Sequence, residues 1–264
     1  MIRTKEYTTG DYREIEIFNL SPHKRPFVRA KKIRESTPAQ KNLNDKKSRK
    51  YFRRLLHANF GKRDLALTLT FDEDNLPETD KEALRMIGNF IKSLKRLWKK
   101  SNPDRPFKYV YVFSEVAGDG SGEMVRKHFH MIITGGLDRD AIEGKWRHGY
   151  CNADRLQFTK DGLEPLAEYM LRQAKGRRRW KGSSNLTKPE AIVSDKALSK
   201  SKMDEIRRNP EDADLIEKVI NRGRKEKWLF TKCEIEYDGK ELFGSEIDSG
   251  EGMGLAILIR MRKA

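Results

Sequence analysis

Three features of the sequence predict an α+β fold built on an antiparallel sheet. The segment Leu65-Ala-Leu-Thr-Leu-Thr-Phe71 alternates strictly, with Leu65, Leu67, Leu69 and Phe71 on one face and Ala66, Thr68 and Thr70 on the other. That is the pattern of a half-buried strand. Residues 81–100 place Ile87, Phe90, Ile91, Leu94, Leu97 and Trp98 on one helical stripe, with Lys92, Lys95, Arg96, Lys99 and Lys100 outside it. Two more β-rich runs, 109–115 and 128–134, flank the flexible Gly118-Asp-Gly-Ser-Gly122 loop, which suits an antiparallel return. The order strand–helix–hairpin–helix–strand–helix then describes helices laid on one antiparallel sheet.

Taken along the chain, residues 21–54 are dense in basic side chains, and Pro22, Pro26 and Pro38 predict that their first part is extended. Residues 42–60 read as a helix, with Tyr51, Leu55 and Ala58 at i, i+4 and i+7. Its basic residues suit either a solvated face or a DNA-contacting arm. After the Leu65–Phe71 strand, residues 72–77 have turn chemistry. Past the hairpin, 138–146 reads as a helix, 150–156 as a short strand and 163–174 as a helix. Residues 183–227 are polar and helical in part, and 228–237 with 255–261 read as a terminal strand pair. The expected organisation is a basic N-terminal arm and helix over 1–60, a core over 61–182, and a polar helical region over 183–264 whose strands rejoin the core sheet.

Charge narrows the function. The chain of 264 residues carries a formal net charge of +16, and 36% of its residues are charged. Residues 201–264 hold 13 Lys and Arg against 14 Asp and Glu, whereas residues 1–200 hold 43 against 26. The excess lies where the candidate chemistry lies, which points to a polyanionic partner. A membrane surface is the competing partner for basic charge, but Met1-Ile-Arg-Thr4 offers neither an amphipathic anchor nor a lipidation signal. No apolar run approaches ~18 residues and the first thirty residues lack a secretory core, so a cytoplasmic protein is expected. Cys151 and Cys233 match neither zinc spacing nor a disulfide framework. No Gly-x4-Gly-Lys-Ser/Thr loop is present, so the chain has no ATPase motor of that kind.

The candidate site centres on Lys127-His-Phe-His-Met-Ile-Ile133. On a strand, residues i and i+2 share a face, so His128 and His130 can bind one ion while Phe129, Met131 and Ile133 enter the core. The plainer alternative is two histidines bonded to backbone or water. Glu115 ends the strand that the glycine loop returns beside them. It could supply a carboxylate to a two-nitrogen, one-oxygen set open to water and phosphate, or be an ordinary strand-end residue. On the helix Glu164-Pro-Leu-Ala-Glu-Tyr-Met-Leu-Arg-Gln-Ala174, residues Leu163, Ala167, Met170, Leu171 and Ala174 form the core stripe. Tyr169 lies off that stripe and shares its side with Arg172. This suits a phosphate-attacking phenolate beside a cation, or simply an exposed ring. The segment Lys175-Gly-Arg-Arg-Arg-Trp-Lys181 places Lys175, Arg177, Arg178, Arg179 and Lys181 around Trp180. That is a composition for single-stranded DNA unless the indole packs inward. Arg126 and Lys127 are further candidate DNA contacts.

Together these residues resemble the HUH endonuclease superfamily, in particular the single-tyrosine rolling-circle replication initiators of small phages and plasmids. Leu65–Phe71 is similar to their first motif, Glu115 with His128-Phe-His130 to the second, and Tyr169 to the third. Ala58-Asn-Phe60, Ser184-Asn-Leu-Thr-Lys-Pro189 and Ile259-Arg-Met-Arg262 are similar too. The resemblance implies a central sheet of about five antiparallel strands with flanking helices. It also implies a divalent ion, Mg²⁺ or Mn²⁺, and transesterification of single-stranded DNA at a replication origin, in a hairpin, through a 5′-phosphotyrosine link. A borrowed host helicase and polymerase would complete replication in the host cytoplasm. The departure is three or four residues beyond the tyrosine, where many relatives carry Lys and this chain has Arg172 and Gln173. Arg keeps the charge but is no proton donor. A mobilisation relaxase or transposase would use the same chemistry, and a non-catalytic basic DNA-binding protein would share only the charge.

Overall fold

The structure, a computed structural model, describes residues 1–19, 38–117, 119, 121–174, 179–238 and 254–264. In chain order the elements are β1 (Ile2–Thr9), β2 (Tyr12–Asn19), α1 (Pro38–Asn59), β3 (Leu65–Thr70), α2 (Asp80–Ser101), β4 (Tyr109–Val116), β5 (Met124–Ile133), α3 (Arg139–Glu143), β6 (Cys151–Arg155), α4 (Glu164–Arg172), β7 (Lys181–Gly182), β8 (Ile192–Ser194), α5 (Lys200–Arg208), α6 (Ala213–Ile220), β9 (Trp228–Asp238) and β10 (Gly254–Lys263). They divide into two compact units. One comprises Met1–Arg54, Lys160–Gly162 and Pro189–Ala264; the other comprises Leu55–Thr159 and Leu163–Lys188.

The second unit contains the expected antiparallel five-stranded sheet, in the order β6-β3-β5-β4-β7. Alternation along β3 and β5 sends Leu65, Leu67, Leu69, Phe129, Met131 and Ile133 into one core with the apolar stripe of α2. Helix α2 starts at Thr79, whose hydroxyl accepts from the Glu82 amide. Asp80 and Glu82 in its first turn, and Lys99 and Lys100 in its last, suit the helix dipole. At the centre of this core Phe129 is fully buried among the rings of Phe71, Tyr111, Phe113 and Trp146, with centroids 5.0–6.5 Å away.

The first unit holds a second five-stranded antiparallel sheet, ordered β8-β1-β2-β10-β9, which the sequence reading did not contain. The N-terminus is therefore a hairpin, turned at Gly10-Asp11 with Gly10 at φ 57, rather than the beginning of a basic arm. Residues 20–37, the extended part of that expected arm, lie outside the described residues. The terminal strands β9 and β10 pair with each other as expected, but they join β2 rather than the sheet of the histidines. The reason is their apolar face. Ile257, Ile259 and Met261 pack with Ile15 and Ile17 and with Met203, Ile206, Ile216 and Ile220 of α5 and α6.

The basic face of α1 also differs from expectation. Arg53 and Arg54 are neither solvated nor free for DNA, because both are buried on Glu14, which has no solvent exposure. Arg53 donates to the Glu14 carboxylate at 2.7 and 3.0 Å. Arg54 donates to it through Nε at 2.7 Å and again through Nη2, and the Tyr12 hydroxyl donates at 2.5 Å. The Arg54 guanidinium also lies 3.6 Å from the Tyr7 ring centre. Burial alone would raise the Glu14 pKa. The Arg53 and Arg54 charges outweigh burial and hold the carboxyl down at about 2.

Glu14→Gln keeps the shape and leaves two guanidiniums without a buried counter-charge. Denaturant titration should show a loss of about 3 kcal/mol or more. Since the folded value lies below the ordinary 4.5, the stabilisation from this carboxylate is complete above about pH 4.5. It is lost as pH falls towards 2. The variant should show no such loss in that window beyond the contribution of other groups.

Candidate metal and tyrosine site

The register of β5 places both imidazoles. Thr70 and Ser114 stand opposite His128, and Thr68 and Val112 opposite His130, so all six side chains share the sheet face away from Phe129. His128 and His130 are buried, with ring centres 4.9 Å apart and planes at 83°. The imidazoles converge through their Nε2 atoms. His128 Nε2 lies 3.1 Å and His130 Nε2 3.2 Å from the same atom, Oε1 of Gln173.

Gln173 sits at the C-terminal cap of α4 and is 2% exposed. Its amide nitrogen donates to the Tyr169 carbonyl at 3.2 Å, which turns Oε1 towards the histidines. His128 Nδ1 lies 2.9 Å from the Arg126 carbonyl, an atom that only accepts, so Nδ1 carries a proton. A neutral His128 then aims a lone pair at the Gln173 oxygen. Two acceptors at that distance repel unless a positive charge stands with them, either a proton on the ring or a cation between the atoms. His130 is the less basic partner. Burial, reinforced by the charge of His128, lowers its pKa to about 4, and the hydrogen bond to Gln173 only partly opposes that shift.

Tyr169 lies on the same helix one turn before Gln173. Its ring centre is 5.0 Å from that of His130, and the residue is 39% exposed. The placement off the core stripe is thus explained: Ala167, Met170 and Leu171 hold the helix down while the phenol borders the imidazoles. Arg172 is exposed at the last turn of α4.

Other residues predicted for the site fall differently. Glu115 lies at the irregularity between Ser114 and Val116, where the Ser114 hydroxyl accepts from the Val116 amide and the alternation breaks. Among the described residues no three His, Cys, Asp or Glu side chains come together as metal ligands. The group that stands with the imidazoles is Gln173, whose only sequence signal was its one-turn spacing from Tyr169. Lys127 points away from the site, its ammonium bonded to the Pro77 and Glu78 carbonyls at 2.9 and 3.0 Å. Arg126 donates to the Phe71 carbonyl at 3.2 Å and lies 3.6 Å from the Glu73 carboxylate. Lys181 pairs with Tyr111 in β7, and Arg179 and Trp180 precede it half-buried. Lys175, Arg177 and Arg178 lie outside the described residues.

The helix carrying Tyr169 is held from both sides. Before it, the Leu163 amide donates to His57 Nε2 at 3.2 Å; after it, the Ser183 amide donates to the Tyr109 carbonyl at 2.9 Å. Two of the weaker sequence similarities meet close by. Asn59 and Thr187 exchange two hydrogen bonds of 2.8 Å, and the Lys108 ammonium donates to both side chains at 2.9 and 3.2 Å.

Residues 64–174 match the family model of the replication-associated protein ORF2. The span runs from the start of β3 through α4 and contains Glu115, His128, His130, Tyr169 and Gln173. The Ala58-Asn-Phe60, Ser184–Pro189 and Ile259–Arg262 similarities lie outside it. No curated protein and no solved structure matches the chain. The match covers less than half of the chain. Among the described residues no helix is long and apolar enough to cross a membrane.

Imidazole carbon chemical shifts in the metal-free protein should show His130 neutral down to about pH 4. Its folded value lies below the ordinary 6.5. The stability it contributes is therefore full above about 6.5 and is lost between there and 4. A His130 titrating at or above 6.5 would show that the ring is not desolvated as described.

Proposed function

We propose that this protein starts rolling-circle replication by nicking and rejoining single-stranded DNA at an origin, with Tyr169 as nucleophile. The observation that supports this most directly is the meeting of two imidazole nitrogens and a carboxamide oxygen beside an exposed phenol, inside the segment that matches a replication-associated family. The donor set suits a divalent ion such as Mg²⁺ or Mn²⁺. His128, His130 and Gln173 would hold it, and Glu115, next to the residue paired with His128, is the carboxylate that would complete the set. His128 already makes the backbone bond that orients a ligating imidazole. Such an ion supplies Lewis acidity to the scissile phosphate.

The protein's own residues do the rest. The Tyr169 oxygen loses its proton and attacks phosphorus. The bond from phosphorus to the 3′ oxygen breaks, and that oxygen takes up a proton. The products are a 5′-phosphotyrosine and a free 3′-OH that primes synthesis, and reversal rejoins the strand. Arg172 adds a fixed charge three residues from the phenol. Arg126, Arg179, Trp180 and Lys181 engage the strand, together with Lys175, Arg177 and Arg178. A host helicase and polymerase in the host cytoplasm would carry replication onward from an origin presented as a hairpin.

Incubation with Mn²⁺ and an origin-derived single strand should give a protein–DNA adduct stable to denaturation. Chelation should stop its formation and added Mn²⁺ restore it. Tyr169→Phe should form no adduct yet bind the strand as before; an adduct from this variant would move the nucleophile elsewhere. Gln173→Ala should lower the nicking rate by about 10–100-fold. It should also weaken Mn²⁺ binding in calorimetry without DNA, a loss that impaired strand binding would not produce.

A further inference from the structure

The histidine face carries an aromatic ring that the proposed chemistry does not use. Tyr150 precedes β6 and is 66% exposed. Its place follows from the register. Cys151 pairs with Leu69 and Asn152 with Thr68, and the Thr70 amide donates to the Tyr150 carbonyl at 2.9 Å. Thr70 in turn pairs with His128. Tyr150, Thr70 and His128 thus form one row across three neighbouring strands, on the face opposite the buried Cys151, Leu69 and Phe129. At ~4.8 Å per strand, Tyr150 stands about 10 Å from His128.

The corner that presents this ring is rigid. Gly149 has φ 138, and a Cβ there would lie 2.5 Å from the Asp72 nitrogen and 2.6 Å from the Thr70 oxygen. The buried Trp146 indole donates to the same Thr70 carbonyl at 2.8 Å. Arg126, two residues before His128, has a half-exposed side chain whose guanidinium donates to the Phe71 carbonyl and lies 3.6 Å from the exposed Glu73 carboxylate, which a phosphate could replace. A large ring held in water on a fixed backbone contributes little to the fold. At the edge of the sheet, in line with Thr70 and His128, it matches the stacking platforms of single-strand binding proteins.

We propose that Tyr150 stacks a nucleobase of the single strand a nucleotide or two from the reacting phosphate, with Arg126 on an adjoining phosphate. The inference rests on the nicking role and assigns the surface that seats the strand. It is tested in the Tyr169→Phe protein with Mn²⁺, using oligothymidylate of about 16 nucleotides and an abasic strand of equal length. Tyr150→Ala should reduce the thymine-dependent part of the affinity about 5- to 100-fold. Abasic binding and the salt slope, which counts phosphates, should stay unchanged. Tyr150→Trp should retain the thymine preference. Equal binding by Tyr150→Ala and its parent, or equal losses on both strands, overturns the platform. The nicking role fails separately, when the protein with Tyr169 intact forms no adduct with any single strand.

Discussion

Strand β5 has to serve two opposite surfaces at once, and the geometry of the site depends on that constraint. Its odd-numbered residues from Phe129 to Ile133 enter the core beneath α2, while His128 and His130 stand on the other side. Side chains alternate with period two, so a slip of one residue would drive the imidazoles into the apolar core and move Phe129 to the polar face. Each large apolar side chain is worth roughly 1.5–3 kcal/mol when fully buried, so the core opposes that slip strongly. The position of the imidazoles is thereby fixed by residues that take no part in their chemistry. The carboxamide of Gln173 then links α4 to this strand, its oxygen facing the histidines while its nitrogen is anchored on the Tyr169 carbonyl of its own helix.

The second unit was largely legible in the sequence. The alternation of Leu65–Phe71, the stripe of α2 and the His-x-His spacing are local patterns, and each became the expected element on the expected face. The off-stripe position of Tyr169 was a local pattern as well. The hairpin of β1 and β2 was not read because its faces are not cleanly polar and apolar. Thr4, Arg13 and Glu14 are buried there; Arg13 pairs with Glu6 across the hairpin, while Thr4 and Glu14 bond Ser194 and Arg53 from elsewhere in the chain. Periodicity sees hydrophobicity, and an interior stabilised by ion pairs escapes it.

Gln173 escaped for a related reason. Its role depends on two atoms more than forty residues away, and only its distance from Tyr169 could have hinted at it. Glu115 shows the converse. Its place at the end of a strand returned by the glycine loop was legible, but the irregularity between Ser114 and Val116 is not a pattern that local sequence displays. The basic excess also proves to be divided in purpose. Arg53 and Arg54 neutralise a buried carboxylate and Lys127 ties down a loop, whereas Arg126 pairs only with Glu73, whose side chain is itself exposed, and with the Phe71 carbonyl.

The supports of α4 come from far along the chain: His57 lies 106 residues before the Leu163 amide it receives, and Tyr109 lies 74 before Ser183. A nine-residue helix is too short to persist alone in water. During synthesis its tyrosine therefore has no fixed surroundings until α4 has emerged and packed on the segments made long before it. Contacts of such separation form slowly, because the loop entropy must be overcome before the contacts stabilise anything. A nascent or truncated chain would thus hold the pair of histidines in place well before it positioned the group that reacts.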